Sequence, residues 1–109
     1  LHSMFHLAAK LKGNKYFNDW DVSSVTDMYA MFFNCKAFNQ PLSNWNVSRV
    51  TTMQSMFEEA NVFNQPLNSW NVSSVTNMGD MFWAIKAFNQ PLSNWNVSSV
   101  TNMRSMFDK

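Results

Sequence analysis

The sequence predicts an α/β solenoid in which each 25-residue turn supplies one short parallel β-strand and one short helix. A motif that begins with Trp, continues with Val-Ser and ends with Met-Phe occurs four times, starting at Trp20, Trp45, Trp70 and Trp95. A fixed period in this range is typical of stacked repeats. Within each copy, apolar residues recur first every three or four positions and then every second position, the periods of a helix and of a strand.

The helix is predicted to begin near Val50 in the second copy. Its apolar face consists of Val50, Met53, Met56, Phe57, Ala60 and Phe63, which are spaced three or four residues apart. Ser48 or Thr51 precedes this run and is a candidate N-terminal cap. A helix of roughly two to three turns is unstable alone, so we expect it to pack against its neighbours.

The strand is predicted near Leu67, on the opposite side of the turn. Phe63, Gln65 and Leu67 alternate as strand residues do, and a bend is expected before Trp70. Each full copy contains one proline, which donates no hydrogen bond to a sheet and keeps the strand short. Stacked copies would form a parallel sheet covered by a row of helices.

The whole chain, residues 1–109, is predicted to be one segment of such an array. Full copies span 20–44, 45–69 and 70–94, and partial copies span 1–19 and 95–109. The link from His6 to Asp19 is two residues longer than the others, which predicts a loop bulge at Gly13. We expect a window from a longer array, because neither end carries a polar capping element.

Composition excludes several classes of function. A net charge of +1 gives no field to attract nucleic acid or an anionic membrane. No apolar run is long enough to cross a bilayer, so we expect no membrane insertion by this segment. Cys35 is the only cysteine, which excludes an internal disulfide.

The repeated residues carry a family likeness. Phe-Asn-Gln-Pro-Leu, Trp-Asn-Val-Ser-Ser-Val-Thr-Asn-Met and Met-Phe together resemble the repeat of BspA-like surface proteins, which is also widespread in mycoplasma surface lipoproteins. The likeness covers residues 20–109, and residues 6–19 depart from it. It implies a variant of the leucine-rich-repeat solenoid, a cell-surface or secreted location, and binding to other macromolecules. It implies no active site.

Most invariant positions have a structural interpretation beside a functional one. The four Trp could form an aromatic strip for sugars, but a stacked core ladder is favoured, because burial alone accounts for them. The column of Thr26, Thr51, Thr76 and Thr101 fits ice binding or helix capping, and capping is favoured. Two amide columns could line a polar groove, or could bond the backbone at a turn, which is favoured: Asn39, Asn64 and Asn89, with Gln40, Gln65 and Gln90.

Three further asparagines begin Asn-Val-Ser glycosylation sequons, and we expect them to be tight-turn residues with engaged side chains: Asn46, Asn71 and Asn96. No catalytic or metal-binding constellation is visible, so we expect no enzyme activity and no cofactor. His2 and His6 lack ligand spacing, Cys35 aligns with small or apolar core residues, and Glu58-Glu59 fits a solvated face. The acidic residues Asp19, Asp21 and Asp27 are too sparse for a calcium loop.

Two columns of residues differ from copy to copy, and both are predicted on the outer helix face. One contains Tyr29, Gln54, Gly79 and Arg104, and the other contains Phe33, Glu58, Trp83 and Asp108. Phe33 and Trp83 are either partner anchors or residues packed against neighbouring helices, and the sequence leaves both open. The partner-binding candidates are Tyr29, Phe33, Gln54, Glu58, Trp83 and Arg104.

We therefore expect a non-catalytic repeat scaffold that binds another protein or a surface macromolecule. The alternative is a structural accessory subunit inside a larger assembly, which would co-purify with partner chains over its outer helices. The identity of the partner depends on the variable positions rather than on the scaffold.

Overall fold

The computed structural model describes residues 17–107, and its regular secondary structure is minimal. The helical element of this part is a three-residue 3-10 helix, Phe17–Asp19. Strand pairing within it is limited to isolated parallel bridges, Asp27 to Thr52, Thr52 to Asn77 and Asn77 to Asn102. The predicted leucine-rich-repeat-like α/β solenoid, with one strand and one helix per turn, is therefore wrong. The bulge at Gly13, His2 and His6 lie outside the described residues.

The segment predicted as a helix is a chain of tight turns whose amides point in two directions. The N–H groups of Ser55 and Phe57 donate, each at 2.9 Å, to carbonyls 24 residues ahead, in the next copy of the motif. Between them, the N–H of Met56 donates at 3.1 Å to the carbonyl of Met53, three residues back. An α-helix would instead bond every amide to the carbonyl four residues back. Alternate amides thus join neighbouring copies.

A left-handed backbone conformation explains why these turns do not become a helix. Seven non-glycine residues have φ between 54° and 62°, and they recur every 25 residues in two columns: Ala30, Ser55, Asp80 and Ser105, then Asn34, Glu59 and Ala84. A positive φ is incompatible with a right-handed helix and costs about 1–3 kcal/mol at each residue. The inter-copy hydrogen bonds, about 0.5–1.5 kcal/mol each, offset part of this cost.

Side-chain amides replace the predicted strand. The N–H of Asn64 donates to Oδ1 of Asn39 in the preceding copy at 2.9 Å. Nε2 of Gln65 donates to the carbonyl and to Oδ1 of the same Asn39, both at 3.1 Å. Asn89 and Gln90 repeat the arrangement on Asn64. The expectation that these amides bond the backbone is confirmed, although the strand near Leu67 is absent.

Stacked aromatic rings run through the core. Phe32, Phe57 and Phe82 lie 5.6 and 5.7 Å apart between ring centroids, with ring planes within 7° of parallel. Trp45 and Trp70 lie 6.3 Å apart at 2°. The apolar face predicted for the second copy, from Val50 to Phe63, was thus correctly expected to be buried, although the turns that bury it are not helical. In the last copy the equivalent Met103 and Phe107 are exposed, at 45% and 60%.

The tryptophans are core residues, as favoured from the sequence. Trp45, Trp70 and Trp95 are buried, and Trp20 is half-buried. The indole N–H of Trp70 donates to the carbonyl of Leu42 at 2.9 Å. The equivalent bonds of Trp45 and Trp95 measure 2.6 and 2.8 Å. This column is therefore not available as an aromatic strip for sugars.

The threonine column joins the copies and caps no helix, so the capping expectation is wrong. The N–H and the hydroxyl of Thr51 both donate to the carbonyl of Thr26, at 2.8 and 3.1 Å. Thr76 and Thr101 repeat these bonds to the preceding threonine. These bonds explain why threonine recurs every 25 residues, so ice binding is not needed to explain the column.

Candidate functional site

All six partner-binding candidates reach the surface. Tyr29 and Phe33 are about two-fifths exposed, at 41% and 40%, and Arg104 is also exposed. The others, Gln54, Glu58 and Trp83, are half-buried. The sequence predicted that they lie on an outer helix face, and this is wrong, because the described residues form turns there. They are carried by those turns instead.

Main-chain hydrogen bonds between neighbouring copies place successive members of each variable column side by side. The N–H of Ala30, next to Tyr29, donates to the carbonyl of Gln54 at 2.9 Å. Asp80 N–H donates to the Arg104 carbonyl at the same distance. For the second column, the N–H of Asn34, which follows Phe33, donates to the carbonyl of Glu58 at 2.8 Å. Residues 25 apart in sequence are therefore neighbours on one surface.

A cleft of about 460 Å³ opens in this surface. Four of the six candidates line it, namely Gln54, Glu58, Trp83 and Arg104. The structure thereby brings these four together, whereas Tyr29 and Phe33 belong to the preceding copy and do not line the cleft. The sequence reasoning missed the remaining lining residues, which are Gly79, Asp80, Asn102 and Ser105.

The missing side chain of Gly79 explains where the cleft lies. Gly79 occupies the column position that Gln54 fills in the copy before and Arg104 in the copy after. A Cβ added at Gly79 would lie 3.0 Å from Nδ2 of Asn102. The available signal was the glycine itself, since it breaks a column of long side chains.

Hydrogen bonds hold the polar groups of the cleft floor in place. Nδ2 of Asn77 donates to Oε1 of Gln54 at 3.2 Å, and Oδ1 of Asn77 accepts from the N–H of Gly79 at 2.9 Å. Oδ1 of Asn102 accepts from the N–H of Arg104, also at 2.9 Å. The side-chain amides of Gln54 and Asn102 are therefore preorganised before any ligand arrives.

The acidic residues near the start of the described chain are turn residues. Oδ1 of Asp21 accepts from the N–H of Ser23 at 3.0 Å and from its hydroxyl at 2.6 Å, and these bonds lower the pKa of the carboxyl. Asp27 accepts from the N–H of Tyr29 at 2.9 Å. Within residues 17–107, no group of three His, Cys, Asp or Glu side chains is placed to hold a metal ion.

The sequon asparagines are engaged in tight turns, as expected. Oδ1 of Asn46 accepts from the N–H of Ser48 at 3.0 Å. Asn71 and Asn96 repeat this bond at 3.1 Å. Cys35 is buried, as expected of a small core residue, and burial raises the pKa of its thiol to about 11.

Comparison with known proteins gives a family match without a characterised relative. A family model described as Mycoplasma protein of unknown function, DUF285, matches residues 1–109. No curated protein and no solved structure matched the chain. In the part of the chain that the structure describes, no helix combines the length and apolar character that crossing a bilayer requires.

Proposed function

The chain belongs to the DUF285 family of Mycoplasma proteins, and we propose that it is a non-catalytic scaffold that binds another protein or a cell-surface macromolecule. The observation that carries this proposal is the cleft around Gly79. Five of its eight lining residues come from the two variable columns, where the copies of the motif differ from one another. Binding specificity belongs at such positions, because the scaffold itself does not require them to be constant.

The different structural roles of the fixed and the variable residues support the proposal. The fixed Trp, Met and Phe positions are used in the core, and the fixed Thr, Asn and Gln positions in bonds between copies. Apart from Gly79, the two variable columns present large and chemically different side chains on one surface. Trp83 and Arg104 are among the residue types most enriched at the energetic centres of interfaces.

The location follows from the sequence likeness and is part of the proposal. The Phe-Asn-Gln-Pro-Leu and Trp-Asn-Val-Ser segments resemble BspA-like surface repeats, and this resemblance supports a location at the cell surface or outside the cell. A binding scaffold in that position presents its variable face to molecules of the surroundings.

The test uses substitutions that the chain already contains at equivalent positions. Trp83→Glu introduces the residue of position 58, and Arg104→Gln that of position 54, so both are compatible with the turn. Arg49→Ser is the matched control, because Ser24, Ser74 and Ser99 occupy its equivalents and it lies outside the cleft. Solubilised surface proteins are passed over the immobilised chain, and the proteins that it retains are identified and purified. The Kd of each purified protein is then measured for the parent chain and for each variant.

We expect Trp83→Glu and Arg104→Gln to weaken binding of such a protein at least tenfold, or about 1.4 kcal/mol, while Arg49→Ser leaves it unchanged. Equal binding by all three variants would refute the assignment of this face. Retention that depends on no cleft residue, together with stoichiometric co-purification, would favour a structural subunit of an assembly instead.

A further inference from the structure

We propose that the cleft at Gly79 binds a neutral sugar residue of a glycan. This inference rests on the proposed binding function of the same face and names the chemistry of its ligand. The cleft is distinct from the tryptophan column, in which Trp45, Trp70 and Trp95 are buried in the core and cannot meet a sugar.

The cleft lining carries charges of both signs, so it offers no single-sign field that would select an ion. Glu58 and Asp80 bring carboxylates to the lining, and Arg104 brings a guanidinium. An anionic ligand would meet the two carboxylates, and a cationic ligand would meet Arg104. A hydroxyl group both donates and accepts hydrogen bonds, so a neutral polyol can pair with all three side chains.

The uncharged polar groups of the cleft can also form hydrogen bonds with the hydroxyls of a sugar. Gln54 and Asn102 line the cleft. Their side-chain oxygens each accept one bond within the protein, and their side-chain NH2 groups are donors for a ligand hydroxyl. Nδ2 of Asn102 lies 3.0 Å from the point where a Gly79 Cβ would be, which places this donor at the cleft floor. A purely apolar ligand would bury these groups without partners, which is unfavourable.

Trp83 is half-buried and is the aromatic residue among those that line the cleft, so its exposed part is where the apolar face of a sugar ring would lie. A pyranose carries C–H groups on its faces and hydroxyls at its edge, and an indole offers a flat apolar surface to such a face. The cleft volume of about 460 Å³ lies within the range of small-molecule sites.

The experiment measures binding of the full chain to an array of oligosaccharides that end in neutral, sialylated or sulfated sugars. Gly79→Gln is the informative variant, because it fills the cleft with the residue that position 54 carries naturally. Its φ lies outside the left-handed region, and the atoms nearest to its Cβ would be side-chain atoms of Asn102 and Asn77 at 3.0–3.4 Å, which must shift slightly to admit it. Thermal unfolding verifies that each variant folds.

We expect binding to neutral sugars that falls at least tenfold in Gly79→Gln and Trp83→Glu and is unchanged in Arg49→Ser. Binding only to sialylated or sulfated sugars overturns the inference, as does neutral-sugar binding that Gly79→Gln leaves unaffected. The purified protein partner, stripped enzymatically of its glycans, separates the two proposals. If it still binds and Trp83→Glu weakens it, the scaffold function stands and the sugar assignment fails.

Discussion

Replacing Ala30 or Ala84 by glycine tests the backbone that distinguishes this fold from the predicted helical one. Both alanines have positive φ, 54° and 59°. An L-residue in this region carries a steric cost of about 1–2 kcal/mol that glycine does not. Glycine loses more backbone entropy on folding, about 0.5–1 kcal/mol relative to alanine. The net expectation is a stabilisation of roughly 0.5–1 kcal/mol for each variant.

The matched control is Ala87→Gly. Ala87 is exposed and is not among the residues of positive φ, and its N–H donates to the carbonyl of Asn61 at 3.1 Å. Glycine at this position is expected to destabilise the chain by about 0.5–1 kcal/mol, because only the entropy cost remains.

Urea and thermal unfolding, followed by tryptophan fluorescence, measure the difference. For a domain of this size, the expected gain raises the Tm by about 2–8 °C. If residues 84 and 30 were helical, glycine would instead cost about 1 kcal/mol. A fall in Tm for both Ala30→Gly and Ala84→Gly, equal to that of the control, would refute the left-handed turns.

Further predictions concern the bonds between copies and the buried thiol. Trp70→Phe removes the indole donor to the Leu42 carbonyl and part of the stacked ring, so unfolding should show a loss of about 1–3 kcal/mol. Thr51→Val removes the hydroxyl bond to Thr26 and should cost up to about 1 kcal/mol in urea unfolding, whereas Thr51→Ser should retain most of it. Burial raises the pKa of Cys35 from 9.0 to about 11, so its contribution to stability is complete below pH 9 and is lost as the pH rises to 11. Urea unfolding across this interval should show that decline in the parent chain and its absence in Cys35→Ala, and parallel profiles would refute it.

The burial pattern could be predicted from the sequence, but the backbone could not. Met53, Met56 and Phe57 were placed correctly in the core by their spacing of three and one. That spacing fits a helix and also fits consecutive turns closed by bonds to the residue three back. The decisive signal would be positive φ, yet the residues that adopt it include Ala30 and Glu59 rather than glycine. Neither residue type favours that conformation by itself.

Part of the candidate site could be predicted from differences between the copies rather than from residue spacing. Comparison of the copies identified Gln54, Glu58, Trp83 and Arg104 because they differ from their counterparts, and these residues meet in one cleft. Gly79 belongs to the same column, but a residue without a side chain gives no sign in the sequence of a binding contact. Asp80 and Ser105 vary little in size and gave no signal. Their position in the cleft depends on the left-handed turns, which the sequence did not reveal.

The same backbone explains how such a face can vary without loss of the fold. Copies are joined at the turns by main-chain bonds, such as those from Ser55 to Gly79 and from Asp80 to Arg104, which any side chain in the variable columns leaves intact. The core Phe and Trp residues have less freedom, because their rings stack across copies, as Phe32 does on Phe57 and Trp45 on Trp70. Substitutions in the variable columns should therefore change binding far more than stability, whereas substitutions in the stacked columns should do the reverse. A chain built in this way can acquire a new ligand through changes at two positions per copy.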